Sequence, residues 1–304
     1  MRIFRYKEKV MAGNKISYSQ FSMYMKCPKQ WEQEYVLNKR VFSQSIHTIF
    51  GTSMHEVIQD WLAVCYDKTV KEADAIDLNE DLKKRMQMHY SDAVKQTGEH
   101  FSTAQELHEF WLDGVASLDY LKRKRSVYFP TKQHELIGIE VELNLPLTKG
   151  IIFRGFIDLM IKDNRDGRVK IIDLKTSTMG WNKWQKADKT KTAQLLLYKE
   201  FYAKQLEMDV ELIDVEYVIL RRKINEDSDF PMKRVQLFSP ANGKPSRNKV
   251  GVQLQEFIDN CFDEVGDYNT ERKYEARTTS ACRYCKYAKD ESICPKKERV
   301  KIKK

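Results

Sequence analysis

The tightest constraint in this sequence lies between residues 151 and 175, where two apolar stretches flank a turn. Ile151 to Lys162 and Arg168 to Lys175 read as β-strands rich in Ile, Leu and Val, and Asn164-Arg-Asp-Gly167 between them carries turn residues. If the strands pair antiparallel, counting outward in step from Asn164 and Gly167 brings Asp158 opposite Asp173. Their Cβ atoms would then lie about 4.5–5.5 Å apart. Two like charges so placed repel unless one is protonated or a cation sits between them. The period of two puts Lys175 on the same face as Asp173. Such carboxylates suit Mg²⁺ or Mn²⁺, and the lysine could orient a water or stabilise charge on a phosphate. A solvated Asp–Lys pair on a sheet edge is the plainer alternative, and a bulge would break the register.

The flanking patterns predict a mixed α/β fold around one sheet. Ile16 to Leu37 reads as helical, with Ser17 and Ser19 as N-cap candidates, Pro28 at a first helical position, and Trp31, Tyr35 and Val36 on one stripe. A stronger helix is expected from Thr52–Ser53. There Ser53 and Glu56 form a capping box, and Met54, Val57, Ile58, Trp61, Leu62 and Cys65 recur on one face. Residues 80–125 read as further helices. From His134 the period becomes two: Ile137, Ile139, Val141, Leu143 and Leu145 alternate with Glu140, Glu142 and Asn144. These glutamates read as ordinary strand-surface residues, although one of them could add a carboxylate. Later elements are a helix around Thr192–Leu206, strands near Leu212–Leu220 and Arg234–Phe238, and a helix on Leu254, Phe257, Ile258, Cys261, Phe262 and Val265. The expected organisation is a helical region at 1–133, an α/β core at 134–266 and a Cys-rich tail at 267–304, with 16–295 as one integrated domain.

Composition narrows the class. The 304 residues carry a formal charge of +9, with 41% hydrophobic and 32% charged residues, ordinary for a globular protein with a basic tilt. The surplus favours a polyanionic partner, nucleic acid first, or serves solubility alone. Trp61 to Tyr66 is the longest apolar run, far short of the ~18–20 residues of a membrane span. No signal peptide is recognised, so an intracellular, cytoplasmic location is expected. Six cysteines are present: Cys27, Cys65, Cys261, Cys282, Cys285 and Cys294. The crowding of three near the C-terminus suggests a metal rather than a disulfide framework. Cys65 and Cys261 sit on apolar stripes and read as buried hydrophobes.

Gly155-Phe-Ile-Asp158, followed by Ile171-Ile-Asp173-Leu-Lys175-Thr176, resembles the divided active-site signature of PD-(D/E)XK nucleases. Gln194 and Tyr198, one helical turn apart, are similar to the glutamine-tyrosine motif of the RecB-like branch, and His55 to its metal-binding histidine. No proline precedes Asp158, as is usual in that branch. The resemblance implies a restriction-endonuclease-like core, a mixed central sheet flanked by helices, with a helical N-terminal elaboration. It implies that Asp158, Asp173, His55 and the backbone carbonyl of Leu174 hold Mg²⁺ or Mn²⁺, that Lys175 positions the attacking water, and that Gln194 and Tyr198 support the site or the DNA backbone. The activity implied is a metal-dependent deoxyribonuclease, foremost an exonuclease on single-stranded or end-bearing DNA in repair, recombination or phage-type processing. A structure-specific endonuclease, a non-catalytic DNA-binding protein with a relict fold, and a zinc-stapled hydrolase of RNA are the alternatives.

Cys282-x₂-Cys285 is a metal knuckle, with Cys294 following and Cys27 as the candidate fourth ligand. One N-terminal and three C-terminal cysteines resemble the iron–sulfur staple of AddB-like and CRISPR-adaptation exonucleases. That resemblance implies a [4Fe–4S] cluster, while four thiolates suit Zn²⁺ as well. Between Lys175 and Gln194, a loop interleaves Trp181 and Trp184 with Lys183, Lys186, Lys189 and Lys191. The lysines can neutralise phosphates; the tryptophans either stack bases or close the core. The basic tail from Lys296 to Lys304 either adds affinity for DNA or is a solubilising end. No GxxxxGK[ST] phosphate loop occurs, so a helicase or recombination motor would be a separate partner chain.

Overall fold

A computed structural model describes residues 14–40, 44–225, 229–230 and 232–299. Most of the basic N-terminal start and the last five residues of the basic tail lie outside the described residues. The helices are α1 (Tyr18–Lys26), α2 (Pro28–Trp31), α3 (Ile46–Asp67), α4 (Val70–Asp74), α5 (Leu78–Thr97), α6 (Ala104–Tyr128), α7 (Lys183–Ala187), α8 (Lys189–Gln205) and α9 (Lys244–Cys261). The strands are β1 (Lys15–Ile16), β2 (His134–Pro146), β3 (Ile152–Asp163), β4 (Val169–Ser177), β5 (Ile213–Arg221) and β6 (Val235–Phe238). They form a mixed six-stranded sheet in the order β1-β3-β4-β5-β6, with β2 also paired to β3. This is the α/β class expected from the sequence, consistent with a PD-(D/E)XK-type fold.

The chain divides into two compact units: one drawn from Met1–Val41, Leu143–Gly155 and Asn248–Lys304, the other from Phe42–Glu142 and Phe156–Arg247. In the first, β1 runs parallel to the start of β3, Lys15 opposite Ile152 and Ile16 opposite Phe153. Its core is aromatic: the fully buried Trp31 ring lies 5.2–6.3 Å from those of Phe257, Phe262, Tyr268 and Tyr274. The single helix expected over 16–37 is broken. Ile16 belongs to β1, and Ser17 caps α1 by accepting the Gln20 N–H at 3.3 Å. Cys27 is then extended at φ −160°, because the residue before a proline is pushed out of the helical region. Pro28 starts α2, and Glu32–Val36 continue as a π-helical turn. At the other end, α9 stops at Cys261, so Val265 leaves the apolar stripe and is exposed.

In the second unit, α3 buries Met54, Val57, Ile58, Trp61, Leu62 and Cys65 against α5, α6 and the sheet. It begins at Ile46 rather than near Ser53. Ser45 is the cap, its hydroxyl accepting the Thr48 N–H, and Ile46, Ile49 and Phe50 extend the buried stripe upstream. Ser53 is buried mid-helix. Gly51 lets the helix approach the sheet: a Cβ there would lie 3.3 Å from Thr176 Oγ1 on β4. The hairpin of β3 and β4 keeps the expected register, from Lys162 opposite Val169 to Leu159 opposite Ile172. Strand β4 then pairs parallel with β5 through the α7–α8 crossover, Asp173 opposite Tyr217 and Lys175 opposite Ile219.

Strand β2 departs from simple alternation. Leu136 and Leu143, an odd number of residues apart, are its buried side chains, and Glu140 between them sits at φ +48°. A Cβ on Gly138 would collide with the Val141 side chain, so positions 138 and 141 share a face. In a regular strand they would not. A bulge has inverted the strand's phase at Glu140.

Candidate active site

Two strands and two helices of the second unit bring the expected residues together. From β4 come Asp173, Leu174 and Lys175. Asp173 is only 2% exposed, and Lys175 Nζ lies 2.6 Å from its Oδ2. That oxygen receives no well-directed hydrogen bond, so the contact is one of charge. From β3, Asp158 Oδ2 accepts the Leu174 N–H at 2.7 Å. From α3, His55 Nδ1 stands 3.6 Å from the same oxygen. On α8, Gln194 Nε2 donates to the Tyr198 hydroxyl at 3.3 Å, and Tyr198 is buried.

The ladder between β3 and β4 ends at Leu159 and Ile172, one residue short of Asp158 and Asp173. The N–H of Leu174 turns to the Asp158 side chain instead of to backbone. The two carboxylates therefore lie just beyond the point where the hairpin opens.

Burial pushes both carboxyls up to about 6. Lys175 opposes this in both, while Asp158 adds to it for Asp173, and Glu140 for Asp158. For Lys175, burial works against the charge, but Asp173 and Asp158 outweigh it and hold the ammonium above its ordinary range. His55 is lowered by burial, and so tends to be neutral. Tyr198 is pushed up to about 12, chiefly by burial, and stays protonated.

The donor set suits a hard divalent cation: a buried and a half-buried carboxylate beside a neutral imidazole. Lys175 offsets only part of the negative charge. Among the described residues, no three His, Cys, Asp or Glu side chains are already drawn together as a metal shell.

One residue here, Gln59, was not read from the sequence as part of the site, and Glu140 was read only as one of two strand glutamates that could add a carboxylate. Gln59, buried and one helical turn after His55, donates from Nε2 to Glu140 Oε1 at 2.6 Å and to the Asp158 carbonyl at 3.1 Å. Glu140 is carried there by the bulge. The signals were the i, i+4 spacing of His55 and Gln59 and the glycine inside an alternating strand.

A family model for the PD-(D/E)XK nuclease superfamily matches residues 15–295. The chain belongs to the PD-(D/E)XK nuclease superfamily. Membership supports a metal-dependent nuclease and gives the paired carboxylates and lysine a common chemical context. No curated protein matches the chain. Among the described residues, no helix is long and apolar enough to cross a membrane.

Elsewhere in this PD-(D/E)XK protein the remaining expected residues are distributed unevenly. Trp181 is 8% exposed, its ring 4.8 Å from Tyr217 and 6.0 Å from Phe238, with its backbone bonded on both sides by Gln236. It closes the core and offers no stacking face, the second of the two roles left open for it. Trp184 is 73% exposed on α7, with Lys183 Nζ 5.0 Å from its ring centre. Lys186 lies over Phe238 at 5.5 Å.

In the first unit, Cys27, Cys282, Cys285 and Cys294 are free thiols. Burial raises the Cys294 thiol, and Cys27, Cys282 and Cys285 all add to this. Backbone N–H groups point at sulfur: Arg277 at Cys27 (3.4 Å) and Thr279 at Cys282 (3.5 Å). Cys65 and Cys261 are buried, as expected.

Proposed function

We propose that this protein is a divalent-metal-dependent deoxyribonuclease of the RecB-like branch, acting as an exonuclease on single-stranded or end-bearing DNA. The observation that carries the reading is the convergence of Asp158, Asp173, Lys175 and His55 where the β3–β4 hairpin opens. Asp158, Asp173, His55 and the Leu174 carbonyl would hold Mg²⁺ or Mn²⁺. Such an ion supplies Lewis-acid polarisation and neutralises charge on the phosphate. The Leu174 N–H fixes the Asp158 carboxylate, leaving its other oxygen for a ligand. Lys175, charged and flexible, orients the attacking water and stabilises charge developing on the phosphate oxygens. Tyr198, protonated and bonded to Gln194, supplies a neutral hydroxyl rather than a base. Trp184, with Lys183 and Lys186 nearby in sequence, would stack and steer a single strand.

The cysteine quartet is read as a metal staple, a [4Fe–4S] cluster with Zn²⁺ as the alternative. Its support is the mutual influence of the four thiols and the N–H groups aimed at sulfur.

A panel of linear single-stranded, linear duplex and covalently closed circular DNA, with RNA beside them, tests the substrate. Linear DNA should be degraded from its ends in Mn²⁺ while closed circles stay intact. Cutting of closed circles would replace the exonuclease reading with an endonuclease, and preferential loss of RNA would displace DNA as the substrate.

A further inference from the structure

We propose that Phe156 is a base-stacking residue for single-stranded DNA, placed beside Asp158 to hold the base of the nucleotide whose phosphate enters the site. This role rests on reading the hairpin carboxylates as a nuclease centre that acts on DNA.

Phe156 is 40% exposed although it stands in the middle of β3, an interior strand of the sheet. Of the large apolar side chains exposed among the described residues, only Phe156 and Leu237 lie in strands, and Leu237 is on the edge strand β6. Scattered exposed apolar residues are ordinary on a protein surface. A bare ring in the middle of an interior strand is less so. Ile157 and Leu159 fill the core on one face of β3, and alternation turns Phe156 to the other. The core is complete without it.

The face that carries the ring also carries the chemistry. Phe156 and Asp158 project together, about 6.5–7 Å apart along the strand. Continuing the register of Leu159 with Ile172 outward brings Asp158 level with Asp173, and Phe156 level with Lys175. The ladder has ended by then, so the ring and the ammonium flank the stretch where β3 and β4 part. Lys175 is also partly exposed, whereas Asp173 is buried. An ammonium on one side and a ring on the other divide a nucleotide between them: the cation attracts the phosphate, and the ring takes the base. Phenylalanine has no polar atom with which to read a base edge, and every base has a π-face, so the contact tolerates any sequence. Bases inside a duplex are already stacked, which makes an unpaired strand the better occupant. Trp184 presents its ring from α7; Phe156 presents one from the carboxylate-bearing face itself.

The test is fluorescence anisotropy of the full-length chain, in chelator, with labelled oligo-dT and with a fully abasic strand of the same length. Phe156→Ala should weaken oligo-dT binding by about tenfold, the scale of one lost stack, and leave abasic binding and Tm unchanged. Phe156→Trp keeps a stacking face and should hold oligo-dT affinity near wild type. Equal weakening on both strands, no weakening on oligo-dT, or failure of the Trp variant to restore affinity would overturn the stacking role alone. Wild-type protein that binds neither strand would overturn the DNA reading of the site, and this role with it.

Discussion

The Leu174 backbone N–H donates to Asp158 Oδ2 at 2.7 Å, a bond from the chain of one strand to a side chain of its neighbour. It replaces a ladder bond where β3 and β4 part. An acceptor there is needed, because a buried N–H without a partner is costly. Asp158→Ala removes that acceptor as well as the carboxylate, whereas Asp158→Asn keeps an oxygen of the right size. Asp158→Ala should therefore lose about 1–3 kcal/mol of stability from the orphaned N–H, and Asp158→Asn less. Both should abolish activity. Chemical denaturation beside a cleavage assay separates the two effects.

Protons and divalent ions should compete at the paired carboxylates. Both are held at about 6 in the folded chain, against ~3.9 when unfolded. A raised carboxyl contributes stability that is full below the unfolded value and lost as pH rises through the folded one. In chelator, stability should thus fall between pH 5 and 7, and Asp173→Asn should flatten that fall. Mn²⁺ binds the ionised form, so the Tm gain it gives should be larger at pH 7.5 than at pH 5.5. Differential scanning calorimetry across that range reads both.

The two tryptophans of the loop after β4 should behave oppositely. Trp184→Ala removes an exposed ring and should weaken single-stranded DNA binding by about 1–3 kcal/mol with little change in Tm. Trp181→Ala empties a buried site against Tyr217 and Phe238 and should cost about 3–5 kcal/mol of stability. Fluorescence anisotropy with a labelled oligonucleotide, alongside urea unfolding, distinguishes them.

Cysteine substitutions should sort the six thiols into two groups. Cys282→Ser and Cys294→Ser should strip the metal from anaerobically purified protein, and Cys261→Ser should leave it bound, since Cys261 is packed in the aromatic core. Elemental analysis with a visible spectrum reads the result. Brown protein with iron and sulfide supports the cluster, whereas colourless protein with stoichiometric zinc supports the alternative. Absence of either metal would remove the staple.

The hairpin was legible because a turn sequence and two apolar strands fix a register, and that register holds from Lys162 and Val169 to Leu159 and Ile172. The opening beyond them was not legible: it depends on where a backbone N–H finds its acceptor. The helical stripe of α3 could be read, but its start could not, since Ser45 and Ser53 are equally good local caps and only packing of Ile46 and Phe50 decides between them. For Trp181 the sequence left stacking and core closure both open, and burial against β5 and β6 decides for the core. Gly138 inside an alternating strand was a visible sign of the bulge that brings Glu140 to the site. Gln59 was hidden, because a buried polar residue on a helix face gains its meaning from the strand opposite.

The most direct measurement is digestion of end-labelled linear DNA by wild type, Asp173→Ala and Lys175→Ala, with chelator, Mg²⁺ or Mn²⁺. Wild type should degrade DNA only with a divalent ion, Asp173→Ala should be inactive, and Lys175→Ala should be slower by about 10²–10⁴-fold. Metal-independent degradation, or full activity in Asp173→Ala, would contradict the assignment of the hairpin carboxylates as the centre of the enzyme.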